Sequence, residues 1–128
     1  MHRKSLLVDN ISLIRNDLLE KIMPVVEYIN SNYSENITLK ELSDILHLNE
    51  QYFSRLFKKA TGITPIEYLN FVRIYEAGKL IKSGENASAA ALKTGFSSLS
   101  YFNRVFKKQK NCSPKDYKRM SLYQEDME

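Results

Sequence analysis

The sequence has little of what most enzymes and metalloproteins need. Among its 128 residues it has one cysteine, Cys112, and two histidines, His2 and His47. One cysteine excludes an internal disulfide and a cysteine-based zinc site, and two distant histidines argue against a metal hydrolase or a Cys–His nucleophile pair. No paired carboxylates, phosphate-cradling glycine loop or nucleophile–base set occurs, so the sequence predicts a protein that is not an enzyme and needs no cofactor or metal.

Long apolar runs are also missing. No run reaches the about 18 residues that a membrane span needs. Only Leu6, Leu7 and Val8 separate the basic start from Asp9, which is too short for the apolar core of a secretory signal. We therefore expect a cytoplasmic chain with no membrane partner. Hydrophobic residues still make up 43% of the chain, enough for the packed core of one domain or two very small ones.

Positive charge is concentrated in the middle of the chain. The net charge is +4, but residues 37–119 hold 15 basic and 7 acidic side chains, whereas residues 1–36 hold 4 basic and 5 acidic. Residues 120–128 add three acidic side chains and no basic one. A basic segment of this size favours a polyanionic partner, although an ordinary solvated surface would have the same composition.

One pattern occurs twice, 49 residues apart. Residues 52–59 read YFSRLFKK and residues 101–108 read YFNRVFKK, with six of eight positions identical. The match continues downstream through a shared proline and tyrosine, and upstream residues 42–48 resemble residues 90–96 at an offset of 48. Two copies are too few for a solenoid, so the repeat indicates two small modules.

Helix signals in the first module follow a regular order. A capping box at Thr38–Glu41 starts one helix, and Asn49 is a suitable N-cap for the next, which Gly62 can end in the left-handed conformation. Pro65 then opens a long connector helix that runs to about Lys82.

The second module repeats this order. Ser88 is expected to start its first helix, Ser97 or Ser98 to cap its second, and Ser113 with Pro114 to open the last helix. A helix of about 8 residues followed, after a short turn, by one of about 12 is typical of a helix-turn-helix. Since no strand pattern appears, the predicted fold is all-α, with two homologous helix-turn-helix subdomains joined by a long connector helix.

The second helix of each module carries polar side chains on its outer face. Residues at positions i, i+3, i+4 and i+7 share one helix face, opposite the inward-facing Phe53 and Phe57 of the first module. These outer residues are Gln51, Ser54, Arg55 and Lys58 in the first module and Ser100, Asn103, Arg104 and Lys107 in the second. Arginine can bond guanine at two points, and glutamine or asparagine can bond adenine. An arginine at the same place in both copies favours DNA reading over an ordinary solvated face.

These motifs resemble the DNA-binding region of the AraC/XylS family of bacterial transcription regulators, over about residues 22–122. Residues 95–108 and 113–117 resemble the family's second-module signature, and the first module matches through residues 52–59 and 61–65. The resemblance implies binding to double-stranded promoter DNA, usually to activate transcription, with RNA polymerase as a partner. The alternative is a helical protein-interaction module that docks RNA polymerase or a partner regulator.

The resemblance also implies roles for individual residues. The base-reading positions fall in two recognition helices, at about residues 49–60 and 98–110, and they are Gln51, Ser54, Arg55, Leu99, Ser100, Asn103 and Arg104. We assign phosphate contacts to Thr38, Lys58, Lys59, Ser98, Lys107 and Lys108. Leu99 is apolar and would contact a thymine methyl group. A connector helix over residues 66–82, roughly 25 Å long, would help to set the about 34 Å between successive major grooves.

These expectations divide the chain into five segments. They are an N-terminal connector helix or extension (1–22), a first helix-turn-helix module (23–65), a connector helix (66–83), a second module (84–122) and an acidic frayed tail (123–128). A heptad-like stripe marks the first segment: Leu7, Ile11, Ile14, Leu18 and Ile22. This helix either leads to an upstream sensor or receiver domain and helps to dimerise the chain, or packs on the domain itself. Pro24 is expected to reset it into the first helix of the family region.

One stretch departs from the family pattern. Residues 87–91 read ASAAA, where the family usually has bulky aliphatic side chains near positions 87 and 90. Alanine favours a helix, but aliphatic groups lost from a core cost about 2–5 kcal/mol unless the site collapses. The sequence therefore predicts that the second module is the looser one.

Overall fold

The computed structural model describes the backbone of residues 2–127 and the side chains of residues 16–122. This part consists of α-helices without a β-strand, as the sequence predicts. The helices are α1 (His2–Asn32), α2 (Leu39–Ile45), α3 (Glu50–Thr61), α4 (Pro65–Lys82), α5 (Ala87–Lys93), α6 (Leu99–Lys110) and α7 (Pro114–Met127). Of the described helices, none is both long and apolar enough to span a bilayer.

The chain forms two compact units. Unit 1 comprises the residues up to Ser31 together with Ile37–Tyr68, and unit 2 comprises Asn32–Asn36 together with the residues from Leu69 onward. The loop after α1 belongs to unit 2, and the boundary inside α4 follows Tyr68. The backbone of α7 stays helical to Met127, and the side chains from residue 123 onward lie outside the described residues.

α1 passes through Pro24 as one continuous helix, so the prediction that this proline resets the helix into a second one is wrong. A proline inside a helix costs about 3 kcal/mol, because it removes one backbone hydrogen bond and its ring crowds the preceding turn. Three side chains around it are fully buried in unit 1: Ile22, Val25 and Ile29. Burying one aliphatic side chain contributes about 1.5–3 kcal/mol, so this face outweighs the cost of the proline. Of the predicted stripe, Leu18 is half-buried and Ile22 buried, whereas Leu7, Ile11 and Ile14 lie outside the described side chains.

The caps predicted for unit 1 are present. The Thr38 hydroxyl oxygen accepts from the Glu41 backbone N–H at 3.1 Å, and the Asn49 side chain accepts from the Tyr52 N–H at 2.8 Å. Gly62 ends α3 in the left-handed conformation, with φ of 88°. The Glu41 carboxylate accepts from the hydroxyl of Tyr28 on α1, at 2.9 Å. This hydrogen bond joins α2 to α1. Core side chains of this unit include Leu42, Phe53 and Phe57.

Unit 2 starts its first helix earlier than predicted. Asn86 caps α5 by accepting from the Ala89 N–H at 2.8 Å, so the helix begins at Ala87 and Ser88 lies within its first turn. An asparagine side chain caps a helix at least as well as serine, which is why the earlier residue is used. Of the two predicted caps for α6, Ser98 is the one used.

The alanines of α5 pack against aromatic rings. Ala90 and Ala91 are buried in one cluster with Phe96, Phe102 and Phe106. The rings contact one another in sequence, with centroid distances of 5.1 Å from Phe96 to Phe102 and 5.6 Å from Phe102 to Phe106. At the offset of 48 residues, Leu42 and Leu48 of the first module match Ala90 and Phe96, so a larger ring accompanies the smaller alanine. This packing argues against the looser second module that the alanines predicted.

The turn inside each helix-turn-helix contains one residue with positive φ. His47 has φ of 56° and Gly95, its match in the second module, has φ of 99°. Glycine is required at position 95 for a second reason, because an added Cβ would lie 2.7 Å from the Tyr33 carbonyl oxygen and 3.0 Å from Nε of Arg73. The second turn is therefore in direct contact with the loop that follows α1.

Arg73 of α4 makes that contact possible. Its guanidinium is buried and donates to the carbonyl oxygens of Tyr33 at 2.7 Å and Glu35 at 2.8 Å. It also lies 5.6 Å from the centroid of the Phe96 ring. Burial lowers the pKa of Arg73 below its ordinary value, and the nearby Tyr101 acts in the opposite direction. Since these bonds satisfy two loop carbonyls, they explain why Asn32–Asn36 belongs to unit 2.

Candidate nucleic-acid interface

The two faces of α3 differ sharply in burial. Phe53, Phe57 and Ala60 are buried, which fixes the rotation of the helix about its axis. The predicted reading residues therefore lie on the opposite side, where Gln51 and Arg55 are exposed and Ser54 is half-buried. Lys58 and Lys59, the predicted phosphate contacts of this helix, are exposed as well. The positions assigned from helical period are thus accessible to a macromolecular partner.

A shallow open depression brings the α3 candidates together. It is lined by Leu39 and Glu50 together with Gln51, Ser54 and Arg55. Sequence reasoning missed Glu50, which lies in the first turn of α3. Its carboxylate can accept from the amino group of cytosine and repels phosphate, so it favours contact with base edges at this end of the helix.

The outer face of α6 is exposed in the same way. Phe102 and Phe106 are buried, whereas the predicted reading residues Ser100, Asn103 and Arg104 are exposed and Leu99 is 44% exposed. The predicted phosphate contacts Lys107 and Lys108 are also exposed. Unlike α3, this helix has no acidic residue, so its whole outer face is neutral or positive.

Thr38 and Ser98 both act as helix N-caps, Thr38 for α2 and Ser98 for the recognition helix α6. Each hydroxyl oxygen accepts from a backbone N–H three residues later, Glu41 for Thr38 and Tyr101 for Ser98. The hydroxyl hydrogen stays available, because a serine or threonine hydroxyl can donate while it accepts. Both residues can therefore cap a helix and still donate to a phosphate, as the sequence assignment requires.

The cations of the two recognition helices are not engaged in ion pairs. The ion pairs recorded for residues 16–122 join Lys40 to Asp44, Lys79 to Glu76, Lys93 to Glu85 and Arg119 to Asp116. None of these pairs involves an arginine or lysine of α3 or α6. Their charges are therefore available to an external polyanion without the cost of breaking an internal pair.

Arg104 has an intramolecular partner of another kind. Its guanidinium carbon lies 5.5 Å from the centroid of the Tyr101 ring. The Tyr101 hydroxyl in turn accepts from the side-chain amide of Asn70 on α4, at 2.7 Å. Sequence reasoning did not single out either residue as a neighbour of Arg104, although the repeat of Tyr52 and Tyr101 in the two motifs was a signal for one of them.

Potential metal ligands are dispersed over the described residues. In residues 16–122, no three histidine, cysteine, aspartate or glutamate side chains converge to hold a metal ion. Cys112 is a free, half-buried thiol, and His47 is exposed in the turn of the first module. Neither residue lies within α3 or α6.

Comparisons with known proteins identify helix-turn-helix transcription regulators as relatives of this chain. A family model described as a helix-turn-helix domain matches residues 42–120. The bifunctional transcriptional activator/DNA repair enzyme AdaA of Bacillus subtilis is 36% identical over 102 residues, which are 79% of this chain and 48% of AdaA. The chain spans between about a third and a half of the length of the curated relatives that it matches.

Solved structures share the fold. The C-terminal domain of the two-component response regulator yesN of Fusobacterium nucleatum is 32% identical, with a TM-score of 0.70 over 75% of this chain and 95% of that one. A probable AraC family regulator of Rhodopseudomonas palustris is 25% identical, with a TM-score of 0.72 over 80% and 97%. The DNA-binding domain of AdpA, solved with a target DNA, has a TM-score of 0.75 over 80% and 94% at 22% identity, so it supports the fold alone.

Proposed function

This chain belongs to the AraC/XylS family of helix-turn-helix transcription regulators, and we propose that it inserts α3 and α6 into successive major grooves of one promoter site. As a member of that family it is a DNA-binding transcription regulator. One observation supports the proposed insertion of both helices into major grooves. Each recognition helix presents an exposed arginine and an exposed amide side chain on the face opposite its core, and neither arginine is in an ion pair.

Base reading follows from the chemistry of these side chains. Arg55 and Arg104 each have the planar fork that bonds O6 and N7 of guanine together. Gln51 and Asn103 can bond adenine, Ser54 and Ser100 accept several bases, and Leu99 fits a thymine methyl group. Because the two helices differ at most of these positions, the site is expected to be asymmetric and to be read by one copy of the chain.

Phosphate contacts complete the interface. The proposed donors are Thr38, Lys58 and Lys59 around the first recognition helix and Ser98, Lys107 and Lys108 around the second. Such contacts fix register and contribute affinity that falls steeply with salt, but they carry no base preference. Two helices that read successive major grooves imply a site whose two half-sites lie one DNA turn apart.

The relatives support a proposal for the wider regulatory role. AdaA is described as a transcriptional activator, and the yesN fragment is the C-terminal domain of a response regulator. We therefore propose that this chain activates transcription together with RNA polymerase. We further propose that it is the output region of a regulator in which a sensor or receiver domain precedes α1. A helical module that docks RNA polymerase or a partner regulator, without reading bases, is the competing function.

Selection of bound sites from random duplexes tests the proposal. Enrichment of one asymmetric site is expected, and Arg55→Ala or Arg104→Ala should each weaken binding to it by about 1–3 kcal/mol and relax the preference at one position. Arg119→Ala removes the same side chain from α7 and is the matched control, with no change in base preference expected. If no sequence is enriched, the competing function is favoured; if both α3 and α6 variants bind like the parent, the reading helices are wrongly assigned.

A further inference from the structure

We propose that Tyr101 and Asn70 are positioning residues that hold the Arg104 guanidinium ready for base reading in the second module. The inference rests on the proposed function, since it concerns how one reading residue reaches its base. Arg104 is exposed, and an exposed arginine ordinarily samples many rotamers. Its guanidinium instead lies over the Tyr101 ring, with 5.5 Å between the guanidinium carbon and the ring centroid.

The ring beneath Arg104 is itself held on two sides. Its hydroxyl accepts from the Asn70 amide at 2.7 Å, and its ring lies near that of Phe96 in a tilted arrangement, with 6.0 Å between the two centroids. Phe96 is buried and lies under the buried guanidinium of Arg73. Tyr101 is therefore anchored to the core of unit 2 although 36% of its surface is exposed. A rigid ring gives the guanidinium a defined plane on which to rest.

A fixed guanidinium matters because guanine recognition is bidentate. Both N–H groups must point at O6 and N7 in one plane, so a free arginine loses rotamer entropy when it binds. A cation–π contact at an exposed site is strong enough to bias the rotamers but too weak to prevent the arginine from leaving the ring for a base. Because the side chain is already ordered before DNA binds, less conformational entropy is lost when the complex forms.

The first module lacks this arrangement despite the same motif. Tyr52 and Arg55 match Tyr101 and Arg104 at the offset of 49 residues. Within residues 16–122, however, no side-chain amide is recorded on the Tyr52 hydroxyl and no guanidinium over its ring, which is 50% exposed. The side chain of Arg104 should therefore be less mobile than that of Arg55 before DNA binds. The difference arises from Asn70, which the repeat does not duplicate.

A double-mutant cycle on DNA binding tests the positioning role. Asn70→Ala and Tyr101→Phe should each lower affinity for the selected site by about two- to fivefold, with little change on random duplexes, because each releases the ring. Combined with Arg104→Ala, both changes should have no further effect, since the group that they position is gone. Tyr52→Phe is the matched control and should leave affinity unchanged. A loss from Asn70→Ala that persists in the Arg104→Ala background would overturn the proposal.

A second measurement needs no DNA. NMR relaxation of the arginine Nε–H groups in the free protein should show that Arg104 is more restricted than Arg55 in the parent. Tyr101→Leu should bring Arg104 to the level of Arg55, while unfolding curves verify that the variant is folded. Equal mobility of the two arginines in the parent would also overturn the proposal. A third outcome separates the two proposals. If Tyr101 restricts Arg104 but Arg104→Ala leaves DNA binding unchanged, the base-reading role of Arg104 is wrong, whereas the contact between Arg104 and Tyr101 is still correct.

Discussion

Replacing Gly95 by alanine should destabilise the second module well beyond the usual cost of a left-handed residue. Two separate penalties apply at this position. The backbone has φ of 99°, and a residue with a Cβ in the left-handed region costs roughly 1–2 kcal/mol. In addition, the new Cβ would lie 2.7 Å from the Tyr33 carbonyl oxygen, whereas ordinary contacts begin at 3.4 Å.

The second penalty can be estimated from the hydrogen bond that the added methyl group would lengthen. The same Cβ would lie 3.0 Å from Nε of Arg73, which donates to that Tyr33 oxygen at 2.7 Å. Moving either group away lengthens a hydrogen bond from a buried cation, and such bonds contribute about 1.5–3 kcal/mol. The total for Gly95→Ala is therefore about 3–5 kcal/mol.

Gly84→Ala separates the two penalties. Gly84 belongs to the same unit and has φ of 112°, but nothing lies within 4 Å of its added Cβ, so only the backbone cost of about 1–2 kcal/mol applies. Urea unfolding followed by circular dichroism gives both values, and the Gly95 variant should unfold about 1–2 M earlier than the Gly84 variant. Equal midpoints and equal slopes for the two variants would refute the close approach of the turn to the Tyr33 loop.

Three further predictions concern the core, a cap and the charged face. Ala90→Leu should cost about 1–3 kcal/mol by overpacking, and adding Phe96→Leu should recover most of it; thermal unfolding checks this, and additive losses would contradict it. Asn86→Ala should lower the free energy of unfolding by about 1 kcal/mol while Ser88→Ala changes it little, and a reversed order would mean that the cap is misidentified. Lys107→Ala should reduce the slope of log affinity against log salt by about one without altering base preference, and an unchanged slope would exclude a phosphate contact there.

The helices and their exposed faces were largely predictable because the signals are local. Thr38, Asn49 and Ser98 cap helices through bonds to residues three positions later, which a sequence pattern records directly. The alternation of buried and exposed positions along α3 and α6 follows from the helical period, so the candidate reading faces could be assigned. Contact of those faces with bases stays a prediction. Pro24 was predicted wrongly, because a local rule about proline ignored the burial of the surrounding aliphatic side chains.

The sequence by itself determined the all-α class, the repeat of two helix-turn-helix modules and the identity of the cations on their outer faces, since each depends on residues within one or two helical turns of one another. Tertiary structure alone decided that Arg73 is buried against the Tyr33 and Glu35 carbonyls and that Asn70 holds Tyr101 beneath Arg104. These pairs are separated by more than 30 residues. No local period or propensity marks them, because such a contact exists only once the chain has folded back on itself.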